Sequence, residues 1–273
     1  MFLTFAMEPS IHNNGILTEK MRNVFDHLGA PVTTLFEANA FAQKHLLRDG
    51  ERWDAQAETD IRKKCLKNKE ALLRDLRALG MVDCVMPAQK SYAYALIMGT
   101  LRASFVRQLD HLAELEQRGY VFGEIVSLGS ARPLRDNEKD GLPSPISTEA
   151  QMMSYCLEQH PILGVKRVLF VNAPMIKKSD GTLVRPTSDS VLTAFSQIAP
   201  HAGSCLIISE NPYLVRQTKV AQRILDQSRF PTQAAGQEDK ESTDDIIILM
   251  DEFARAIYEE SVRFRQRAGR DSV

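Results

Sequence analysis

The sequence lacks the motifs that identify common functional classes. Its four cysteines are scattered over 273 residues without a C-x-x-C pair, which excludes zinc or redox motifs of that type, and we expect them to be buried thiols. The six histidines show no H-x-H or H-E-x-x-H spacing, so a metal-dependent mechanism has little support. Walker A and G-x-G-x-x-G patterns are absent, which argues against an ordinary nucleotide hydrolase or nicotinamide dehydrogenase. No motif names a cofactor or a reaction.

The chain also lacks a strong excess of charge and any long apolar run. Its formal net charge of -1 gives no general attraction to nucleic acid or to an anionic membrane. No apolar run approaches the roughly 20 residues that span a bilayer, and Glu8 interrupts the N-terminal apolar residues before they could form a signal peptide. We therefore expect no nucleic-acid or membrane partner, and a protein that is cytoplasmic or exported without a cleaved signal peptide. The oligomeric state is not predicted.

Four apolar runs alternate with helical stretches, and each run ends in Gly, Ser, Asn or Pro near a hydroxyl or charged residue. The runs cover residues 93–98, 125–128, 168–171 and 206–208. Continuous apolar strands that alternate with helices form parallel sheets covered on both faces. We therefore predict an α/β fold, a Rossmann-like three-layer sandwich with a mostly parallel sheet. Ligands of such sheets bind outside the carboxyl ends of the strands, which places the expected site there.

The domain organisation follows from composition and helical spacing. Residues 1–80 are predicted to form a mainly helical region packed on the core, and residues 81–273 a Rossmann-like domain with a long C-terminal helix. Residues 54–79 indicate one helix that ends at Gly80, and its mixed charges favour a solvated face over a nucleic-acid surface. The last helix is predicted from Asp244 to about Arg267, with Thr243 as its cap.

A long polar segment, residues 135–147, lies between the second and third predicted strands. A loop of this length beside a strand end is a candidate lid. It ends at Thr148, which is predicted to cap a helix from Glu149 to Gln159.

The expected ligand is an anionic small molecule that carries a phosphate or resembles a nucleotide. Four arginines follow strands or begin helices, where helix N-termini also present unpaired amides, and arginine binds phosphate or carboxylate through a bidentate fork. The alternative is that some of these arginines form structural ion pairs with Glu149, Asp189 or Glu210. The predicted ligand-binding residues are Gly99, Thr100, Arg102, Gly129, Arg132, Thr148, Arg185, Thr187, Asn211 and Arg216.

Ser130 and Glu149 are the candidate catalytic residues. The segment around Ser130 lacks the second Gly of a G-x-S-x-G nucleophile elbow, and no His–acid set can be assigned to it, so its support as a nucleophile is weak. Glu149 is the best candidate general acid or base. A role in capping its helix is the favoured alternative.

The order of the motifs resembles the SanA/ElyC/YdcF-type domain family over roughly residues 82–237. The resemblance is carried by a strand ending in Gly129, by the helix start at Thr148 and Glu149, and by a last strand followed by an aromatic residue and Arg216. The motifs are Val126-Ser127-Leu128-Gly129, Ser147-Thr148-Glu149-Ala150-Gln151-Met152-Met153, Arg185-Pro186-Thr187-Ser188-Asp189 and Ile208-Ser209-Glu210-Asn211-Pro212-Tyr213. The resemblance implies a Rossmann-like fold with a polar, anion-tolerant cleft. Members of the family are linked to bacterial envelope processes, often through a membrane anchor.

Two functional hypotheses follow. The first is a small-molecule enzyme or transferase that acts on a phosphorylated or nucleotide-like anion at the strand carboxyl ends. The second is a noncatalytic metabolite-binding or protein-interaction module that uses the same cleft.

Overall fold

The computed structural model describes residues 11–47, 60–161, 167–225 and 229–270. Between residues 91 and 238 the strands of the sheet alternate with helices, as the sequence predicts. In chain order the elements are β1 (His12–Asn13), β2 (Ile16–Leu17), α1 (Glu19–His27), α2 (Leu35–His45), α3 (Asp60–Lys67), α4 (Lys69–Ala78), β3 (Ser91–Met98), α5 (Arg102–Gln117), β4 (Val121–Ser130), α6 (Asp136–Lys139), α7 (Glu149–Gln159), β5 (Arg167–Ala173), β6 (Ile176–Lys177), β7 (Leu183–Val184), α8 (Ser188–Ile198), β8 (Cys205–Asn211), α9 (Tyr213–Leu225), β9 (Thr232–Glu238), α10 (Lys240–Asp244) and α11 (Ile246–Arg270).

The chain divides into two compact units. The sheet unit comprises the described residues of Met86–Glu210 and Val220–Gln237, and the helical unit comprises those of Met1–Val85, Asn211–Lys219 and Glu238–Val273. The first boundary lies near the predicted one at residue 80. The C-terminal helix α11 differs from the predicted division, because it belongs to the helical unit rather than to the α/β domain. Its apolar stripe shares a core with the N-terminal helices, which accounts for this assignment.

The central sheet has five parallel strands in the order β5-β4-β3-β8-β9, which confirms the predicted α/β class. The four predicted apolar runs form β3, β4, β5 and β8. In the middle of the sheet, Leu96 of β3 is in register with Val126 of β4 and Ile207 of β8. The fifth strand, β9, is not predicted by the apolar pattern, because its sequence Thr-Gln-Ala-Ala-Gly-Gln-Glu is largely polar and it lies at an edge of the sheet.

Helices cover both faces of the sheet. Side chains of α5 and α7, such as Phe105 and Met153, share one buried core with Ile97 of β3. Successive side chains of a strand point to opposite faces of the sheet. Tyr94, three residues before Ile97 in the same strand, therefore lies on the face opposite to Ile97. There it packs edge-on against Phe195 of α8, with ring centroids 5.3 Å apart. These layers direct the N-termini of the three helices toward the carboxyl ends of the strands.

The helical unit departs from two sequence predictions. The helix predicted over residues 54–79 consists of α3 and α4, which are interrupted at Asn68; residues 54–59 lie outside the described part. The side chain of Asn68 donates a 2.7 Å hydrogen bond to the carbonyl of His27, which holds this break in place. The predicted last helix is also divided, because Thr243 lies within α10 and α11 begins at Ile246.

Candidate functional site

The carboxyl end of β3 leads directly into the N-terminus of the 16-residue helix α5. Leu101 is its N-cap residue, and neither a side-chain cap nor an acidic residue in the first turn neutralises this end. Gly99 and Thr100 are half-buried and Leu101 is 47% exposed, so the first amides of the helix are near solvent. An uncapped helix N-terminus carries unpaired N–H groups and a partial positive charge. This end of α5 therefore carries a partial positive charge that no cap or acidic residue of its first turn offsets.

The sheet topology makes the same position a natural ligand site. The chain runs from β3 to β4 and β5 on one side, and then crosses to β8 on the other side of β3. Open parallel sheets bind ligands outside the strand carboxyl ends at such a reversal of strand order. The strand order reverses beside β3, and α5 is the helix that follows β3 in the chain.

A polar cluster follows the carboxyl end of the neighbouring strand β4. The hydroxyl of Ser130 donates a 2.6 Å hydrogen bond to Oε2 of Glu149, the first residue of α7. Arg132 donates to Oε1 of Glu149 at 3.1 Å and forms a fork with both carboxylate oxygens of Glu138, at 2.8 and 2.9 Å. We call Ser130, Arg132, Glu138 and Glu149 the carboxyl-edge cluster. The structure thus brings both predicted catalytic residues together.

Glycine 99 places this cluster beside the α5 N-terminus. A Cβ atom on Gly99 would lie 2.9 Å from Oε2 of Glu149 and 3.0 Å from the carbonyl oxygen of Leu128. Only a residue without a side chain fits between the carboxylate and the strand end without displacing one of them. The Glu149 carboxylate and the N-terminus of α5 are therefore neighbours.

The charged groups of the carboxyl-edge cluster shift one another's pKa values. The hydrogen bond to Glu138 raises the pKa of Arg132 above its ordinary value, against the opposing effect of burial. Burial alone would raise the pKa of Glu138, but the hydrogen bonds from Arg132 and from the backbone of Arg135 outweigh it and hold that pKa below the ordinary value. The Arg132 guanidinium therefore forms ion pairs with two carboxylates, those of Glu138 and Glu149. The ion-pair alternative considered for the predicted arginines is what the structure shows at Arg132.

Arg102, the first residue of α5, lies close to the segment that follows β4. Its Nη1 donates a 2.6 Å hydrogen bond to the backbone carbonyl of Asp140. This acceptor is neutral, in contrast to the carboxylates around Arg132. The partners that Arg102 has among the described residues, this carbonyl and the thiol of Cys156, do not neutralise its positive charge at the N-terminus of α5.

An additional ion pair lies at the end of β8 and was not predicted as such. Arg107 of α5 donates from Nε and Nη2 to the two carboxylate oxygens of Glu210, at 2.5 and 3.1 Å. Glu210 is buried, whereas the Arg107 side chain is 45% exposed. Glu210 is a candidate ion-pair partner in the sequence analysis, but the position of Arg107 within its helix does not indicate that Arg107 pairs with it.

Three predicted ligand-binding residues have local structural roles in the sheet unit. Thr148 caps α7 in a capping box with Gln151, and Thr187 accepts a bond from the amide of Ser190 to cap α8. A Cβ on Gly129 would lie 2.8 Å from Cα of Ala150, so this glycine permits close strand–helix packing. The predicted residue Arg185 is exposed directly after β7, at the surface of the sheet unit.

The last two predicted ligand-binding residues belong to the helical unit. The Asn211 amide donates hydrogen bonds to the carbonyls of Gly80 and Asp83 at 3.1 and 2.6 Å, which hold the chain after α4 in place. Arg216 donates a 2.6 Å bond to the fully buried carboxylate of Glu252 in α11. Both side chains are engaged within their own unit and are not part of the carboxyl-edge cluster.

The described residues offer little support for other classes of site. Between residues 11 and 270, apart from the undescribed segments, no three His, Cys, Asp or Glu side chains come together as a metal site would require. Among the described helices, none combines the length and the apolar character needed to cross a membrane.

The fold and the cluster define a Rossmann-like α/β protein with a polar site at the strand carboxyl ends. No protein-family model matches the chain, and no curated protein matches it.

Proposed function

We propose that the protein is a small-molecule enzyme that binds a phosphorylated or nucleotide-like anion at the N-terminus of α5 and uses Glu149 for proton transfer. The observation that carries the proposal is the contact across Gly99, where the Glu149 carboxylate adjoins the uncapped end of α5. A positive helix end and a proton acceptor are thereby placed side by side. The resemblance to the SanA/ElyC/YdcF-type family supports the same edge of the sheet.

The binding half of the proposal depends on α5. No side chain caps the first backbone amides of α5. The residues before the helix, Gly99, Thr100 and Leu101, are at least partly accessible to solvent. Phosphate groups bind at such helix ends because several N–H groups and the helix dipole point at one anion. Thr100 adds a hydroxyl, and Arg102 adds a guanidinium that matches phosphate geometry.

The chemical half of the proposal depends on Ser130 and Glu149. The serine hydroxyl donates a 2.6 Å hydrogen bond to Oε2 of Glu149, which supports a fixed position for this oxygen. Arg132 fixes the other oxygen, Oε1, so the carboxylate cannot rotate freely. Glu149 is then a general base for the Ser130 hydroxyl or for a ligand hydroxyl that takes its place. Ser130 orients the carboxylate in the resting protein.

A noncatalytic metabolite-binding or protein-interaction module is the second candidate. It is favoured by the pairing of Arg132 with two carboxylates, because an arginine neutralised in this way stabilises the fold without a ligand. Under this function the α5 end binds the same class of anion, and Ser130 and Glu149 only support the strand end.

Turnover distinguishes the two candidates. The purified protein would be incubated with a panel of phosphomonoesters, sugar phosphates and nucleotides, and products would be followed by phosphorus NMR. For the enzyme we expect a product whose rate of formation falls about 100-fold or more in Glu149→Gln. Glu158→Gln, an exposed acid near the other end of α7, is the matched control and should retain the rate. Binding without turnover of any compound would support the module and contradict the enzyme.

A further inference from the structure

A cavity of about 250 Å³ opens at the amino ends of the sheet strands, away from the carboxyl-edge cluster. It is lined by residues that precede or begin β3, β8 and β9, namely Gln89, Tyr92, Ser204, Pro231, Thr232 and Gln233. We call it the amino-end cavity, and all six residues belong to the sheet unit. Tyr92 and Gly99 lie at opposite ends of β3, roughly 20 Å apart at the usual rise of a strand. The cavity is therefore separate from the proposed anion site.

A chain of hydrogen bonds sets the orientation of the Gln233 amide in this cavity. The backbone amide of Gln89 donates to the hydroxyl oxygen of Tyr92 at 3.1 Å, and the Tyr92 hydroxyl donates to Oε1 of Gln233 at 2.5 Å. The backbone amide can only donate, so the single proton of the phenol is given to the carbonyl oxygen of Gln233. Burial raises the pKa of Tyr92, which keeps this proton on the phenol.

The same arrangement leaves hydrogen-bond donors available to a ligand. The side-chain nitrogen of Gln233 has no hydrogen-bond partner among the described residues. The oxygen of Ser204 accepts a 3.4 Å bond from the amide of Ala93, and its own proton is not used within the described part of the chain. The exposed side chain of Gln89 adds the donors and the acceptor of a second amide.

The lining disfavours two common classes of ligand. None of the six lining side chains is charged, so an ion that entered would lose hydration without gaining an opposite charge from them. The aromatic ring of Tyr92 is buried and stacks on Phe122, with ring centroids 6.2 Å apart, so its face is not open to a nucleobase. Hydroxyl groups both donate and accept, and they match a lining of amides and hydroxyls.

We propose that the amino-end cavity binds one uncharged monosaccharide, whose hydroxyl oxygens accept hydrogen bonds from the Gln233 side-chain nitrogen and the Ser204 hydroxyl. The size of the cavity agrees with a single ring, since a cavity of about 150 Å³ holds benzene and pockets for drug-sized ligands begin at about 300 Å³. This sugar site does not depend on the proposed anion site, and it gives the protein a second ligand at the opposite edge of the sheet.

The test is an NMR titration of the isotope-labelled full chain with glucose, galactose, mannose and ribose. At least one of these sugars should bind with a dissociation constant of about 1–10 mM, the range of a ligand held by a few hydrogen bonds. It should shift the backbone amide of Gln89 and the side-chain amide of Gln233. The amides of Thr100 and Arg102, at the other end of the sheet, should keep their positions.

Two substitutions test the assigned donors. Gln233→Leu removes the side-chain nitrogen and should weaken sugar binding about 5- to 10-fold. Ser204→Ala removes the other donor with little change in shape, and it should weaken binding about threefold or more even if Gln233→Leu does not fold. Gln237→Leu is the matched control on the same strand, because its amide donates to Glu114 and does not line the cavity; its affinity should stay within about twofold.

Three results would overturn the sugar site. The first is the absence of binding by all four sugars at about 50 mM, where a site with a constant of about 10 mM is mostly occupied. The second is binding that Gln233→Leu and Ser204→Ala leave unchanged, or that shifts Thr100 and Arg102 instead of Gln89. The third is binding of adenosine or uridine, tested in parallel, without binding of any sugar. Pyrophosphate binding at α5 is measured separately, so each of these results leaves the proposed function standing.

Discussion

The carboxylate of Glu149 occupies the space in which the side chain of residue 99 would lie. Oε2 of Glu149 is 2.9 Å from the position of a Cβ atom on Gly99, closer than Cβ atoms and oxygen atoms pack without adjustment. The glycine therefore has a steric function rather than a conformational one. It allows a side chain from α7 to reach the loop that joins β3 to α5.

This relationship predicts the effect of Gly99→Ala. The new methyl group would also lie 3.0 Å from the backbone carbonyl of Leu128, which cannot rotate away as a side chain can. We expect a loss of about 1–3 kcal/mol in the free energy of unfolding, together with weaker anion binding, because the carboxylate or the loop must move. Urea denaturation and a pyrophosphate titration measure the two effects.

Gly269→Ala is the matched control for this substitution. Apart from its chain neighbours and the nearby backbone of its own helix, no described residue has an atom within 4 Å of the added Cβ, and the position is in the helix α11, where alanine is favoured over glycine. Its stability should stay the same or rise by up to about 1 kcal/mol. A Gly99→Ala protein as stable as this control would show that the contact with Glu149 does not constrain the site.

Arg216 is expected to affect stability and not anion binding. Its Nε donates to Oε2 of Glu252 at 2.6 Å, and Glu252 has no exposed surface. Removing one member of a buried pair is expected to cost about 3–5 kcal/mol, because the remaining charge is desolvated. Arg216→Met should lower the urea midpoint strongly and leave the pyrophosphate affinity of the folded protein unchanged. Weaker pyrophosphate binding by an Arg216→Met protein that is as stable as the unaltered protein would indicate that Arg216 belongs to the ligand site.

His111 is expected to make the protein acid-sensitive. It is 3% exposed in α5, and neither ring nitrogen has a hydrogen-bond partner among the described residues; an oxygen of Glu114 lies 3.8 Å from Nδ1. Burial lowers the pKa of His111, and the opposing attraction of Glu114 does not offset this effect. The imidazole of His111 binds a proton more readily in the unfolded chain than in the folded protein. The stability that the neutral His111 contributes is therefore fully present above the ordinary pKa of 6.5, and it is lost as the pH falls toward the lowered pKa of the folded protein.

The substitution His111→Leu tests this pH dependence. The leucine side chain does not titrate and leaves no polar atom unpaired, so the loss of stability below pH 6.5 should become shallower. Each unit by which burial lowers the pKa of His111 corresponds to about 1.4 kcal/mol of stability lost at low pH. Urea midpoints at several pH values between neutral and mildly acidic conditions give the slope. Identical slopes for the two proteins would show that His111 does not control it.

The sequence predicts those parts of the fold that depend on local patterns. Apolar runs mark β3, β4, β5 and β8, and the hydroxyl of Thr148 marks the start of α7, because strand burial and helix capping are set within a few residues. The polar strand β9 gives no such signal. It pairs at an edge, where the sheet supplies backbone partners without requiring apolar side chains.

The partners of charged residues could not be predicted in the same way. The sequence predicts both Arg132 and Glu149 at the strand ends, but the fork with Glu138 depends on the fold of a polar loop that has no periodic pattern. Arg216 pairs with Glu252, which is 36 positions away in the sequence and lies on another helix. The residue types at the carboxyl edge are therefore predictable from the sequence, whereas the ion-pair partners of the arginines depend on the tertiary structure.

The most direct test of the proposed site is the dependence of anion binding on Arg102. Isothermal titration with pyrophosphate and with ADP would compare the unaltered protein, Arg102→Ala and Arg118→Ala, an exposed arginine at the opposite end of α5. We expect binding that weakens about 10-fold or more in Arg102→Ala, since a charge-assisted hydrogen bond contributes about 1.5–3 kcal/mol, and that is unchanged in Arg118→Ala. Equal affinities in all three proteins, or no binding to any of them, would contradict an anion site at the N-terminus of α5.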